Sequence, residues 1–176
     1  MKKIIAFAGS NSKKSINKQL ATYAASLVNN VEVKVLDLND YQLPIYGIDG
    51  ETENGIPENA SLFLNEIKQA DAIIISLAEH NGSYTAVFKN LLDWISRIDK
   101  VIFQNKPMLL MTTSPGGRGG KTVFETANAA FPRFGANIVA EFSLPNFFDN
   151  FKDGKISEGT FKDQLQEQIL KLKTSI

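Results

Sequence analysis

Residues 9–17 read Gly-Ser-Asn-Ser-Lys-Lys-Ser-Ile-Asn and gather Ser10, Ser12, Ser15 and Asn17 around Lys13 and Lys14. They lie just ahead of Ile16, Leu20, Ala24, Leu27 and Val28, whose steps line one side of a helix. The start of a helix offers free N–H groups and a positive dipole end. Short donors, two formal charges and that dipole together suit a phosphate monoester bound without a metal. The plainer use of the same residues is Ser15 as a helix cap with both lysines in water.

A second chemical cluster is Ala78-Glu79-His80-Asn81-Gly82-Ser83-Tyr84. It brings a carboxylate, the only imidazole of the chain, an amide and a hydroxyl to one turn, where a heterocycle could hydrogen-bond. As a purely structural segment it would let Asn81 or Ser83 start the next helix, with Glu79 and His80 facing water. His80 has no partner histidine for a metal.

The third is Ser114-Pro115-Gly116-Gly117-Arg118-Gly119-Gly120-Lys121-Thr122. Its end resembles the G-x-x-x-x-G-K-[ST] phosphate loop, but the first glycine of that motif falls on Pro115. Proline removes one N–H and fixes φ near −65°. Gly116 is one residue out of register, and strand three ends in Leu77-Ala78 with no carboxylate for magnesium. Nucleoside-triphosphate hydrolysis is therefore not expected. Pro115, Gly116, Gly117, Gly119 and Gly120 instead give a backbone surface that a flat ring could approach closely. The first loop has only Gly9, so the dinucleotide fingerprint G-x-G-x-x-G is absent and a mononucleotide fits better.

The elements that position these loops follow from hydrophobic periodicity. Short apolar runs predict strands at 3–8, 31–38, 71–77, 107–113 and 136–142, the first of them continuous and β-branched as a strand buried on both faces would be. Helical periods predict helices after Ile16, from Leu62 to Ala70, over 84–98, over 122–134 and over 158–173. Residues 40–57, rich in glycine and proline, predict a long loop. Strand followed by helix, five times over, predicts an α/β fold with a parallel sheet covered on both faces. Ligands in such sheets sit at the carboxyl ends of the strands. With strand order 2-1-3-4-5, the three loops converge there. No repeat or linker divides the chain, so residues 1–176 are expected to form one domain.

Composition narrows the function. There is no cysteine, which excludes disulfides and thiolate chemistry and fits a reducing compartment. Nineteen basic and nineteen acidic residues cancel, without the basic stripe of a nucleic-acid binder. The N-terminal apolar run stops after five residues at Gly9, short of a secretory signal, and nothing approaches a membrane span. The expectation is a soluble, cytoplasmic protein with no nucleic-acid, membrane or metal partner.

Taken together, the three loops resemble the NADPH-dependent FMN reductase family of flavodoxin-like proteins, which includes bacterial quinone, azo and chromate reductases. Its G-S-x-R-x-x-S-x-N stretch is GSNSKKSIN here, its P-E-Y-N-x-S-x-P-G-x-L-K-N-x-x-D-W stretch is AEHNGSYTAVFKNLLDW, and its S-P-G-x-x-G-G loop is SPGGRGG. The resemblance spans nearly the whole chain. It implies a doubly wound five-stranded parallel sheet and a bound FMN. Ser10, Ser15 and Asn17, with Ser12 and Ile16 in the same turn, would hold the FMN phosphate. Glu79, Asn81 and Ser83, with His80 beside them, would hold the ribityl chain and ring edge, and Ser114, Pro115, Gly116 and Gly117 would line the isoalloxazine. Lys89, Asn90, Asp93 and Trp94 match the following helix, which in the family helps build a dimer interface, so a homodimer or homotetramer is implied.

The resemblance also implies a ping-pong cycle in which NADPH or NADH gives hydride to the flavin. The reduced flavin then passes two electrons to a small acceptor: free flavin, a quinone, an azo compound or a metal oxyanion. No side chain is required as a nucleophile, and His80 or the N–H groups of 114–120 could stabilise charge on the ring. Three departures stand out: Ser12 replaces an arginine, His80 a tyrosine, and Thr85-Ala86 a proline-glycine pair. An arginine–phosphate contact is worth about 1.5–3 kcal/mol, which Lys13 or Lys14 offsets only in part. The alternatives are a flavodoxin-like electron carrier without its own NAD(P)H oxidation, and a binding module that has lost its flavin.

Overall fold

The computed structural model describes residues 1–176. Five strands make the central sheet: β1 (Lys2–Gly9), β2 (Val31–Val35), β3 (Ala72–Leu77), β4 (Pro107–Thr113) and β5 (Asn137–Leu144). All neighbours are parallel, in the order β2-β1-β3-β4-β5. The helices are α1 (Ile16–Ser26), α2 (Ile48–Asn54), α3 (Glu58–Gln69), α4 (Ala86–Ile98), α5 (Lys121–Ala130), α6 (Phe147–Asn150) and α7 (Thr160–Thr174). None is long and apolar enough to cross a membrane.

The sheet divides the interior in two. Ile5, Phe7, Ile73, Ile75 and Leu110 point to one face, against Phe63 and Ile67 of α3 and Phe88, Leu91 and Ile95 of α4. Ile4, Ala6, Ile74, Leu109 and Met111 point to the other, against Leu20 and Ala24 of α1 and Leu165 and Ile169 of α7. β1 and β3 are thus buried on both faces. That is why their sequences are continuous apolar runs and not alternations.

Several boundaries differ from the expectation. β2 ends at Val35 and is an exposed edge strand. Asp37 then accepts from the Asn39 N–H at 2.9 Å and caps a 3-10 turn, Leu38–Asp40, so the chain leaves the sheet before Leu38. The 40–57 segment holds α2, which buries no residue of its own. It is strapped to α4 by polar contacts instead. Trp94 Nε1 donates to the Pro44 carbonyl at 2.7 Å, Asn90 Oδ1 accepts from the Tyr46 N–H at 2.8 Å, and Arg97 meets Glu51 at 2.9 Å.

The helix expected over 84–98 begins at Ala86, capped by Thr85. Asn81 and Ser83 therefore do not start it. The helix expected over 122–134 changes to a 3-10 turn at Phe131–Phe134, where Pro132 has no N–H to continue it. α6 and two short hairpins, Glu79–His80 with Ser83–Tyr84 and Phe151–Lys152 with Lys155–Ile156, are additions to the expected elements.

Candidate functional site

The carboxyl ends of β1, β3 and β4 carry the three loops, and an open cavity of about 220 Å³ lies between them. Ser10, Ser12, Lys14, Ser15, Ile16 and Asn17 line one side. Ala78, Glu79 and His80 line the second, and Thr113, Ser114 and Pro115 the third. Nine expected site residues are thus brought together, and Lys14, Ala78 and Thr113 join them. Asn81, Ser83, Gly116 and Gly117 are exposed outside the cavity wall, on the same loops.

The first loop is folded on itself. The Ser12 N–H donates to Ser10 Oγ at 3.2 Å, and the Ser15 N–H donates to the Ser12 carbonyl at 3.1 Å. Ser15 caps α1, its Oγ accepting from the Lys18 N–H at 3.2 Å. That bond uses a lone pair and leaves the hydroxyl hydrogen to give. Ile16 and Asn17 open the helix, so their N–H groups have no carbonyl one turn earlier. Asn39 Nδ2 donates to the Asn11 carbonyl at 3.1 Å and holds the loop from outside.

Asn17 is only 2% exposed, and its amide faces inward. Oδ1 accepts from the Thr113 N–H at 3.1 Å and from Ser76 Oγ at 2.7 Å, while Nδ2 donates to the Thr113 carbonyl at 3.2 Å. The side chain pins α1 to β3 and β4. What it leaves for a ligand is its main-chain N–H.

Gly9 ends β1 where a Cβ would stand 2.8 Å from Leu77 Cδ2 and 3.2 Å from Phe88 Cγ. Only glycine lets strand and helix close this tightly. Thr85 Oγ1 donates to the Gly9 carbonyl at 2.8 Å and itself accepts from the Phe88 N–H at 3.3 Å. Thr85 thus couples the cap of α4 to the first loop.

The second loop is a two-residue hairpin. Asn81 and Gly82 both have positive φ, 51° and 74°, as an Asn-Gly turn of this kind requires. It presents Glu79 and His80 to the cavity. Glu79 Oε2 accepts from the Val123 N–H at 2.9 Å, so the carboxylate caps α5 from another loop. Gly120, at the N-cap of α5, has no side chain to do so.

In the third loop the glycines have separate uses. Gly119 and Gly120 have positive φ and are buried against Ser143 and Thr112, so they serve close packing and not a ring surface. Gly116 has nothing within 4 Å of where a Cβ would be. Its carbonyl accepts from the Asn146 N–H at 3.0 Å, and the Ser114 carbonyl accepts from the Phe147 N–H at 3.0 Å, so α6 braces the loop. Lys121 reaches Glu125 on the outer face of α5 at 3.7 Å, away from any phosphate-loop role.

Residues 2–149 match the model of the NADPH-dependent FMN reductase family. The chain belongs to that family, a family of oxidoreductases. Among relatives, the Escherichia coli K12 quinone reductase is 31% identical over 118 residues, 66% of this chain and 62% of the relative. The chain thus aligns with under two thirds of that protein's length. An Arabidopsis thaliana NADPH:quinone oxidoreductase is 27% identical, over 97% of this chain and 89% of its own. Among solved structures, FerB, a flavoenzyme NAD(P)H:(acceptor) oxidoreductase from Paracoccus denitrificans, superposes with a TM-score of 0.78 at 23% identity. That match covers 99% of this chain and 96% of FerB, and it establishes the shared flavodoxin-like fold.

Proposed function

We propose that the protein is an NAD(P)H-dependent reductase that holds FMN across the three loops and passes two electrons to a small acceptor such as a quinone. The observation that carries this reading is the donor set in one cavity: three serine hydroxyls, two free N–H groups at a helix start, and Lys14. The one acidic residue of the lining, Glu79, belongs to the second loop and accepts from the Val123 N–H. Such a set suits a phosphate dianion.

In this reading Ser10, Ser12, Ser15 and Lys14, with the N–H groups of Ile16 and Asn17, hold the phosphate. Glu79, His80, Thr113, Ser114 and Pro115 hold the rest of the cofactor. The cavity is smaller than the roughly 300–1,000 Å³ usual for small-molecule sites, so a cofactor in it extends beyond the wall. Asn81, Ser83, Gly116 and Gly117 are then its outer contacts.

Bound FMN would supply the two-electron hydride chemistry that no side chain here provides. The chain contributes binding, orientation and rigidity. Asn17, Glu79 and Thr85 lock the three loops to one another through hydrogen bonds, which keeps the site formed without ligand. Self-association through α4 and the α2 strap would cover the exposed Ile45, Ile48 and Ile98. A cysteine-free chain of zero net charge suits a cytoplasmic location.

The deciding experiment is an anaerobic titration of FMN-saturated protein with NADPH and with NADH, followed by visible absorbance. Bleaching that reverses on adding a quinone is the expected result. Bound FMN that neither nicotinamide bleaches would overturn the reading in favour of an electron carrier.

A further inference from the structure

β2 is an open edge of the sheet, bonded to β1 on one side only. The Leu36 N–H donates to the Ala6 carbonyl at 2.9 Å, so the main-chain groups of Lys34 and Glu32, in step with Leu36, also turn toward β1. Those of Val31, Val33 and Val35 turn outward, and no other main-chain group of the chain reaches them. Side chains alternate with the pleat. Val31 packs on the α1 side of the sheet, and Val33 and Val35, on the same face, are 37% and 39% exposed. Glu32 and Lys34 share the other face. Lys34 meets Glu66 of α3 at 2.6 Å, while Glu32 has no cation within 4.0 Å.

An open row of main-chain groups is a template for another strand, and natural edges usually block it with a charge. Here the two charges complement each other. Val31-Glu32-Val33-Lys34-Val35 reads the same from both ends except that Glu and Lys change places. Laid antiparallel against itself about Val33, it sets Glu32 opposite Lys34 of the second copy, Lys34 opposite Glu32, and Val31 opposite Val35. Opposed residues whose main-chain groups face each other exchange both N–H···O bonds, and in this register those residues are the three outward-turned valines. Charge and hydrogen bonding therefore select the same alignment. We infer that β2 pairs antiparallel with β2 of a second copy of this chain, so that two five-stranded sheets run on as one. The contact is isologous and closes at two copies. It uses no residue of α4 or of the 40–57 strap, and it stands apart from the reductase reading.

Sedimentation velocity over a range of protein concentrations is the first test. The parent chain should associate, and Glu32→Lys, which sets like charges opposite each other at two places, should weaken that association about tenfold or more. Val33→Pro removes an outward donor and spares the bonds to β1, as proline on an edge strand does, so this variant should fold and not pair. Either substitution should halve the assembled mass, whether the parent is a dimer through β2 alone or a tetramer through α4 as well. Hydrogen exchange reads the contact itself. In the concentrated parent the amides of Val31, Val33 and Val35 should exchange slowly; on dilution, or in Glu32→Lys, they should exchange fast while Lys34 stays slow. A parent that remains a monomer at its highest soluble concentration would overturn the inference. So would an assembled parent whose three valine amides exchange fast, a result that assigns the association to another surface.

Discussion

Asn17 and Thr113, 96 residues apart in sequence, are joined by a reciprocal pair of hydrogen bonds between one side chain and one main chain. The side-chain amide donates to the Thr113 carbonyl and accepts from its N–H, as a neighbouring strand would. This bond pair, with Ser76 as a third partner, sets the distance between the first loop and the third.

Replacing Asn17 by alanine leaves the Thr113 N–H and carbonyl and the Ser76 hydroxyl unpaired in a buried place. Each such group costs about 1–3 kcal/mol. Asn17→Ala should therefore lower unfolding free energy by about 3 kcal/mol or more in urea denaturation, with the m-value unchanged. Asn17→Asp keeps the acceptor but turns a donor into an acceptor facing a carbonyl, and should not restore the loss.

Glu79 and Val123 form the second cross-brace. Glu79→Ala removes the cap of α5, a loss of about 1 kcal/mol. Glu79→Gln keeps an acceptor oxygen and should recover most of it. Hydrogen exchange at the amides of residues 121–123 is the direct readout, fast in the alanine variant and slow in the glutamine variant.

These two braces mark where the sequence is readable and where it is not. The strands Lys2–Gly9, Ala72–Leu77 and Pro107–Thr113 are legible because burial on both faces leaves unbroken apolar runs. Their parallel order follows from the intervening helices, and with it the convergence of the loops. Asn17 looks like one more donor in a polar turn, because its inward partners lie 59 and 96 residues away. Glu79 likewise caps a helix 44 residues on. The Asn81-Gly82 turn was within reach of local rules, since Asn-Gly between short pairing segments signals a hairpin. The helix α2 was not, as it buries nothing and is held by the Glu51–Arg97 pair, while Trp94 and Asn90 hold the residues just before it. The two glycine pairs of the third loop look alike in sequence, and only the approach of Thr112 and Ser143 separates them.

Tyr84 makes stability depend on alkaline pH. Its hydroxyl is buried without a partner, and burial pushes its pKa from the ordinary 10 up to about 12. Between those values the unfolded chain gives up the proton and the folded chain keeps it, so folding stability falls as pH rises from about 10 to about 12. Below pH 10 both states are protonated and the effect vanishes. Tyr84→Phe should make the decline shallower, because Tyr41 and Tyr46, also shifted upward, still contribute. At neutral pH the same variant removes an unpaired buried hydroxyl and should be as stable as the parent or more so. Thermal melts across pH 7–11.5 measure both effects.

Gly9 and Gly116 separate folding from ligand binding. A methyl at Gly9 would press on Leu77 Cδ2 at 2.8 Å and Phe88 Cγ at 3.2 Å, both fully packed in the core. Overpacking of this kind costs about 1–3 kcal/mol, so Gly9→Ala should melt at a lower temperature with or without FMN. A methyl at Gly116 meets nothing within 4 Å, and the residue has no positive φ that an alanine would strain. Gly116→Ala should leave stability within about 0.5 kcal/mol of the parent, as surface changes do. If the third loop lies against the isoalloxazine, the same methyl stands where the ring must come close, and FMN affinity should drop tenfold or more while the melting temperature of the ligand-free protein stays put. A Gly116→Ala protein that binds FMN as well as the parent would place the ring elsewhere on the three loops.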